Sequence, residues 1–294
     1  MNTILVPTDF SIPADNAAQY ALQLAMRMKT GIKLCHALKI PVEAPMAAQV
    51  AWPLEDYVSL KNEANDQLSL LAEKLEKDIE EQISSLPASY QPKVHYTSEV
   101  GAADDVIRNV FDEQKMTLVV MGMSGAGPLS RFFLGSTSRD LIDKATFPVL
   151  LIPAGFKFKT IKKIAFASDL SEGDVKVIHS LAGMARFFNA EILITHVISE
   201  KFEQITEQNR VEVFLNEVTG TADYDKIYYR AVKSLDVIHG LDWLVEHGQV
   251  DILAMVHRRH HFLNYIFRGS YAQKMAQHIT MPLMVFPPDF EEVI

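Results

Sequence analysis

Two rhythms of apolar and polar residues take turns along the chain. Short apolar runs near 3–8, 31–38, 93–98, 117–121 and 148–152 are separated by stretches where apolar residues recur every three or four positions. The first rhythm is that of a strand, the second that of an amphipathic helix. Behind Ser11, the residues Ala14, Ala17, Ala18, Ala21, Ala25 and Met28 fall at helical spacing. Ser11 is placed to cap that helix, and Pro13 stands in its first turn, where a missing N–H does no harm. Residues 56–83 predict a long amphipathic helix whose Glu73, Glu76, Lys77 and Glu80 mark a solvated face. The strand runs lack strict alternation and are spaced by helices, which predicts a parallel sheet covered on both faces.

The pattern then repeats. Residues 4–11, ILVPTDFS, recur at 164–171 as IAFASDLS, an offset of 160, and residues 32–37, IKLCHA, recur at 192–197 as ILITHV. Further on the offset is 134: Gly135-Ser136 matches Gly269-Ser270, and 147–153 matches 281–287. The second copy is thus 26 residues shorter, mostly after its second strand, where a helix at 201–218 replaces the longer one. Its strands are expected near 162–168, 191–198, 226–231, 250–256 and 282–286, and Val175, Ile178, Ala182 and Ala185 mark its first helix. Ser171-x-x-Asp174 ahead of that helix is expected to act as a capping box. The fold class expected is α/β: two tandem doubly wound domains, each a five-stranded, mainly parallel sheet with helices on both faces. The first domain spans 1–154 and the second 160–290.

Composition narrows the setting. At 294 residues with 48% hydrophobic and 22% charged positions, each half can bury its own core. The 28 Lys and Arg are outnumbered by 37 Asp and Glu, a net charge of −9, which argues against nucleic acid as a partner. Cys35 is the single cysteine, so no internal disulfide exists and a reducing compartment fits. No apolar run reaches 18 residues and the N-terminus has no signal-peptide pattern, so no membrane association and a cytoplasmic location are expected.

The candidate chemistry lies after the fourth strand, where 120–138 reads VMGMSGAGPLSRFFLGSTS. Open α/β sheets bind ligands beyond the carboxyl ends of their strands, where the strand order reverses. Gly122 and Gly125 let backbone approach a ligand where a Cβ would clash. Gly135, Ser136, Thr137 and Ser138 expose amides at a helix start, where phosphate oxygens are attracted. The whole pattern Gly-x2-Gly-x9-Gly-Ser, together with the opening VPTDFS at 6–11, the LCHA strand end at 34–37 and the closing PVL at 148–150, resembles the universal stress protein family across both halves. The resemblance implies the adenine nucleotide α-hydrolase-like fold and, for its nucleotide-binding branch, a cradle for ATP or another adenine nucleotide, with or without Mg²⁺. By resemblance that cradle falls on Asp9, Ala37, Gly122, Gly125, Gly135, Ser136 and Thr137. It further implies a non-enzymatic, nucleotide-binding role in stress response, and pairing of closing strands, here 149–152 with 283–286, as an intramolecular pseudo-dimer. Further homodimerisation and the protein partner stay open. The Walker and dinucleotide fingerprints are both absent.

Asp9 has a second reading as an acidic cap on the first helix, compatible with the first. His36, on an apolar strand end, reads as structural. In the second copy Gly122 becomes Val256, Gly125 becomes Arg259 and Gly127 becomes His261, so that copy is expected to have lost the nucleotide. His257, His260 and His261 invite a zinc reading, but no nearby Cys or carboxylate completes a tetrahedron, and a solvated basic loop is expected. An anion site on Arg258 and Arg259 is the third reading of that segment.

No Gly-x-Ser-x-Gly occurs, and Cys35 on a buried strand lacks a base. Nothing near the glycines positions an attacking water, although Arg131 is within sequence reach of a γ-phosphate. No catalytic and no metal-binding residue is assigned, and slow ATP hydrolysis is left open. Two rivals remain: an ATP-using enzyme of the same superfamily, and a structural or metal-binding member without nucleotide.

Overall fold

The structure is a computed structural model that describes residues 2–38, 54–85, 90–113, 116–123, 136–199, 204–234, 237–257 and 280–290. The chain divides into two compact units, Met1–Met121 and Gly122–Ile294.

In the first unit, β1 (Thr3–Pro7), β2 (Gly31–Leu38), β3 (Val94–Val100) and β4 (Met116–Met123) form a parallel sheet in the order β3-β2-β1-β4. Helices α1 (Ile12–Met28), α2 (Leu54–Ser85) and α3 (Ala103–Glu113) connect the strands. The expected start of α1 is in place: Ser11 is the N-cap, its hydroxyl accepting from Ala14 N at 3.4 Å, with Pro13 just inside. Ala17, Ala18, Ala21 and Ala25 have no exposed surface. Small side chains on this face let the helix lie close to β1.

The predicted long helix is α2. Ala64, Leu68, Leu71, Ala72, Leu75 and Ile79 form its buried stripe, while Glu73, Glu76, Lys77 and Glu80 are exposed as expected. Its polar rungs meet α1 at intervals of one turn: Lys74 to Asp15 at 3.0 Å, Gln19 to Asp78 at 2.7 Å, Gln23 to Gln82 at 3.0 Å. Both partners climb by four residues per rung, so α1 and α2 run parallel, as two crossovers between parallel strands must.

In the second unit, the strand order is β5-β10-β9-β6-β7-β8, built from β5 (Val149–Pro153), β6 (Lys163–Ala167), β7 (Glu191–Ser199), β8 (Ile227–Ser234), β9 (Ile252–Val256) and β10 (Leu283–Phe286). Its helices are α4 (Ser136–Lys144), α5 (Glu172–Phe188), α6 (Gln204–Thr221) and α7 (Val237–His247). All neighbours pair in parallel except β5 with β10, which are antiparallel with Val285 opposite Val149, Met284 opposite Leu150 and Leu283 opposite Leu151. These six side chains are all buried. The last strand of the first repeat is thereby built into the unit that holds the second, so compactness and sequence repeat divide the chain at different places.

The duplication extends to backbone details that no side-chain pattern demands. Phe10 and Leu170 have φ of 61° and 60°, and Lys29 and Asn189 both have φ of 54°. Each pair is separated by the 160-residue offset of the repeat, and Lys29 and Asn189 are the C-caps of α1 and α5. The serine half of the expected capping box is not made. Ser171 is the N-cap of α5, but its side chain makes no cap hydrogen bond. Asp174, three residues on, is fully buried, and its carboxylate accepts from Ser168 Oγ at 2.6 Å.

Candidate functional site

In the first unit the strand order reverses between β1 and β4. Strands β1 and β2 turn one way from that point and β4 starts the other side, so their carboxyl ends border the crevice where such sheets take ligands. Just past β1, Thr8 is held three ways. Its N–H donates to Cys35 O at 2.9 Å, its hydroxyl accepts from Phe10 N at 3.0 Å, and its carbonyl accepts from His36 Nδ1 at 2.8 Å. A carbonyl has no proton to give, so the His36 ring carries its hydrogen on Nδ1. The Phe10 ring packs on the same imidazole, centroids 4.6 Å apart. His36 is therefore structural, as expected, and it is also a positioning residue: it fixes the turn that presents Asp9.

Asp9 is exposed, two residues past the end of β1. Its Oδ1 accepts from the N–H and the hydroxyl of Ser11 at the start of α1. Asp9 thus braces the N-cap residue and bonds no N–H of the helix itself. Oδ2 takes no hydrogen bond among the described residues, which leaves that oxygen able to accept one. Ala37 offers backbone instead. In a parallel ladder alternate residues turn both N–H and C=O to the same neighbour. Cys35 turns its carbonyl to Thr8, so Ala37, two residues on, faces the same side, beyond the point where β1 has turned away.

Gly122 directly follows Met121 near the end of β4 and is half-buried. Ser136 is the first residue of α4, where backbone N–H groups lack helical partners, and Thr137 beside it is half-buried. Gly125 and Gly135 lie outside the described residues, as does Arg131. Asp9 and Ala37 are thus brought to the carboxyl edge of the first unit's sheet, and Ser136 and Thr137 stand in the second unit.

The matching place in the second unit has the same frame and different contents. Ser168 N donates to Thr195 O at 3.0 Å, Leu170 N donates to Ser168 Oγ at 2.9 Å, and His196 Nδ1 donates to Ser168 O at 2.9 Å. Sequence reasoning passed over this His-to-carbonyl tie, although its recurrence at the 160 offset was the signal. Here, however, Arg210 of α6 reaches across to the Asp169 carbonyl at 2.6 Å, and Val256, buried at the end of β9, stands where the first repeat has Gly122. Next to it His257 is buried, donates its N–H to Phe286 O at 2.7 Å, and places Nε2 3.0 Å from Asp143 Oδ1. Residues 258–261, with Arg258, Arg259, His260 and His261, and the pair Gly269-Ser270, lie outside the described residues. Among the described residues no three metal-ligating side chains come together.

Cys35 is buried on β2, and burial pushes its thiol up to about 12, against a smaller lowering by Lys33. A thiol so held stays protonated and cannot act as a nucleophile near neutral pH. No helix among the described residues is long and apolar enough to cross a membrane.

A universal stress protein of Mycolicibacterium smegmatis is 24% identical over 305 residues, covering 97% of each chain. A universal stress protein of Methanocaldococcus jannaschii is 27% identical over 149 residues, 51% of this chain and 80% of its own length. Among solved structures, a universal stress protein of Archaeoglobus fulgidus superposes with a TM-score of 0.64 at 16% identity, covering 97% of this chain and 98% of the other. A Pseudomonas aeruginosa protein of unknown function gives 0.59 at 14% identity, covering 98% and 93%. The profile of the universal stress protein family matches residues 1–153 and again 160–287. Two tandem copies of one α/β fold, each matched along nearly its whole length, make this chain a member of the universal stress protein family.

Proposed function

We propose that the first repeat, residues 1–154, binds one adenine nucleotide, ATP or a close relative, and that the second, residues 160–290, does not. The carrying observation is that two crevices share a frame and differ in what fills it. Thr8, His36 and Phe10 have their counterparts in Ser168, His196 and Leu170, yet the half-buried Gly122 corresponds to the buried side chain of Val256. Asp9 Oδ2 would meet a ribose hydroxyl and the Ala37 backbone an adenine edge. Gly122, Gly125, Gly135, Ser136 and Thr137 would carry the phosphates, with or without Mg²⁺. Backbone amides and hydroxyls suit phosphate oxygens because they donate without bringing a charge that must itself be desolvated.

The proposed role is regulatory and non-enzymatic: nucleotide occupancy in stress response stabilises one form of the chain for a partner. No described residue at the crevice has the arrangement of a nucleophile with its base, and the buried Cys35 thiol is inactive for the reason given. Antiparallel pairing of β5 with β10 supports reading the second repeat as a built-in partner for the first, an intramolecular pseudo-dimer.

Mass spectrometry of the nucleotide that co-purifies with the full chain, followed by calorimetry with ATP, tests this reading. About one site per chain is expected, with no AMP and pyrophosphate formed on long incubation. Two equivalent sites, no binding, or rapid turnover would each overturn it.

A further inference from the structure

At one end of the second unit's sheet, β8 is the outermost strand. It pairs with β7 from Ile192 opposite Ile227 to Ser199 opposite Ser234, and no described strand pairs on its other side. An edge of this kind offers a row of backbone N–H and C=O groups to another extended chain. Beside it opens a cleft of about 320 Å³. Residues 230–234 line it in succession, together with His239, Gly240 and Trp243 of α7. Successive strand side chains point to opposite faces, so a cleft that meets five in a row runs along the strand's edge. It is a groove between an open edge and a helix.

The charge of this groove is opposite to that of the chain. Arg230 and Lys233 line it and no carboxylate does, although the protein as a whole carries −9. Neither Arg230 nor Lys233 has an acidic partner among the described residues. The Arg230 guanidinium lies over the Trp243 ring, 5.5 Å from its centroid, and that ring stacks on His247 at 5.3 Å and 16°. Stacking of this kind holds the planar fork in place while its N–H donors stay available for a carboxylate. The wall behind is firm: a Cβ on Gly240 would stand 2.9 Å from both methyls of Val197, so α7 presses close on β7.

We propose that this groove binds an extended acidic peptide, which adds to β8 as a further strand and turns its carboxylates to Arg230 and Lys233. Arg230 and Lys233 are three residues apart and so project from opposite faces of β8. A compact anion meets one of them. An added strand, whose own side chains alternate, reaches both while its backbone pairs with the edge.

The test uses the full chain and a fluorescent peptide of roughly eight residues built from Glu pairs separated by Val, a length typical of a strand. Anisotropy should rise on binding. N-methylation of alternate peptide amides, Lys in place of Glu, and the variant Arg230→Glu should each weaken binding about tenfold or more. Lys233→Glu should do the same, and it carries the charge test should Arg230→Glu fail to fold. Equal binding of the N-methylated peptide would show that the edge is not paired. Displacement by glutarate at the same concentration would show a compact-anion site. An unchanged affinity in Lys233→Glu would remove the charge argument. Any of these overturns the proposal.

Discussion

Between Gly122 and Val256 the difference is one isopropyl group, and the proposed division of labour between the repeats turns on it. Substituting Gly122→Val writes the second repeat's residue into the first. Valine suits a strand, so the fold should hold. Overpacking a close approach costs up to about 3 kcal/mol, roughly a hundredfold in affinity. Calorimetry should therefore lose the ATP signal while the melting temperature stays near that of the parent. Unchanged affinity would place the nucleotide elsewhere. At Cys35 the pH dependence has a definite sign. The folded thiol sits at about 12 against an ordinary 9.0, so between these values the unfolded chain has lost a proton that the folded chain keeps. Stability is then full below about pH 9 and falls as pH rises toward 12, by up to about 1.4 kcal/mol per unit. Denaturant titrations of parent and Cys35→Ala across that window should show a shallower decline in the variant. Parallel curves would mean the thiol is not buried as described. The inertness of Cys35 was legible in the sequence, because an apolar strand without a neighbouring base leaves burial to decide. The inward turn of Asp174 was not. Ser171-x-x-Asp174 has the spacing of a cap, and only the fold brings the Ser168 hydroxyl to the same carboxylate.

Elements show the same split between local and long-range information. Strand and helix rhythms, caps and the repeat offset are local, and they carried the parallel ladders, the α1 start and the length of α2. Pairing of β5 with β10 also followed from resemblance, but the division of the chain after Met121 did not. That division arises from contacts made by residues far apart in sequence, which no pattern along the chain records. The β8 groove carried no motif at all: Arg230 and Trp243 are unremarkable in the sequence and meet only because α7 folds back over its own preceding strand. For the β5–β10 ladder, Leu151 is fully buried opposite Leu283. Leu151→Lys forces a charge into an apolar ladder with no partner of opposite sign, which costs about 3 kcal/mol or more. Leu70→Lys makes the same change on a residue 66% exposed on α2 and should stay within about 0.5 kcal/mol. Chemical denaturation of the two variants separates them. Equal stability would mean that the ladder contributes little.

At the scale of the whole chain, the question is why a repeat that has lost its glycines is kept. A nucleotide site needs only one intact crevice, so binding alone does not account for the second copy. The sheet edge offers a reason. Val149, Leu150, Leu151 and Ile152 are all 1% exposed or less in the full chain, and β10 supplies the antiparallel partner for this strand. Burying such a strand stabilises at roughly 25 cal/mol per Å² of apolar surface, and leaving it open invites association with any similar edge. Covalent linkage holds the right edge at an effective concentration that a free copy would reach only in the millimolar range. A fragment of residues 1–155 keeps the apolar strand and loses its partner. It should therefore dimerise through 149–152, as sedimentation equilibrium would show, and bind one ATP per fragment. Leu151→Lys in the same fragment should return it to monomer. A parent fragment that stays monomeric at high micromolar concentration would mean that edge pairing is not what keeps the second repeat.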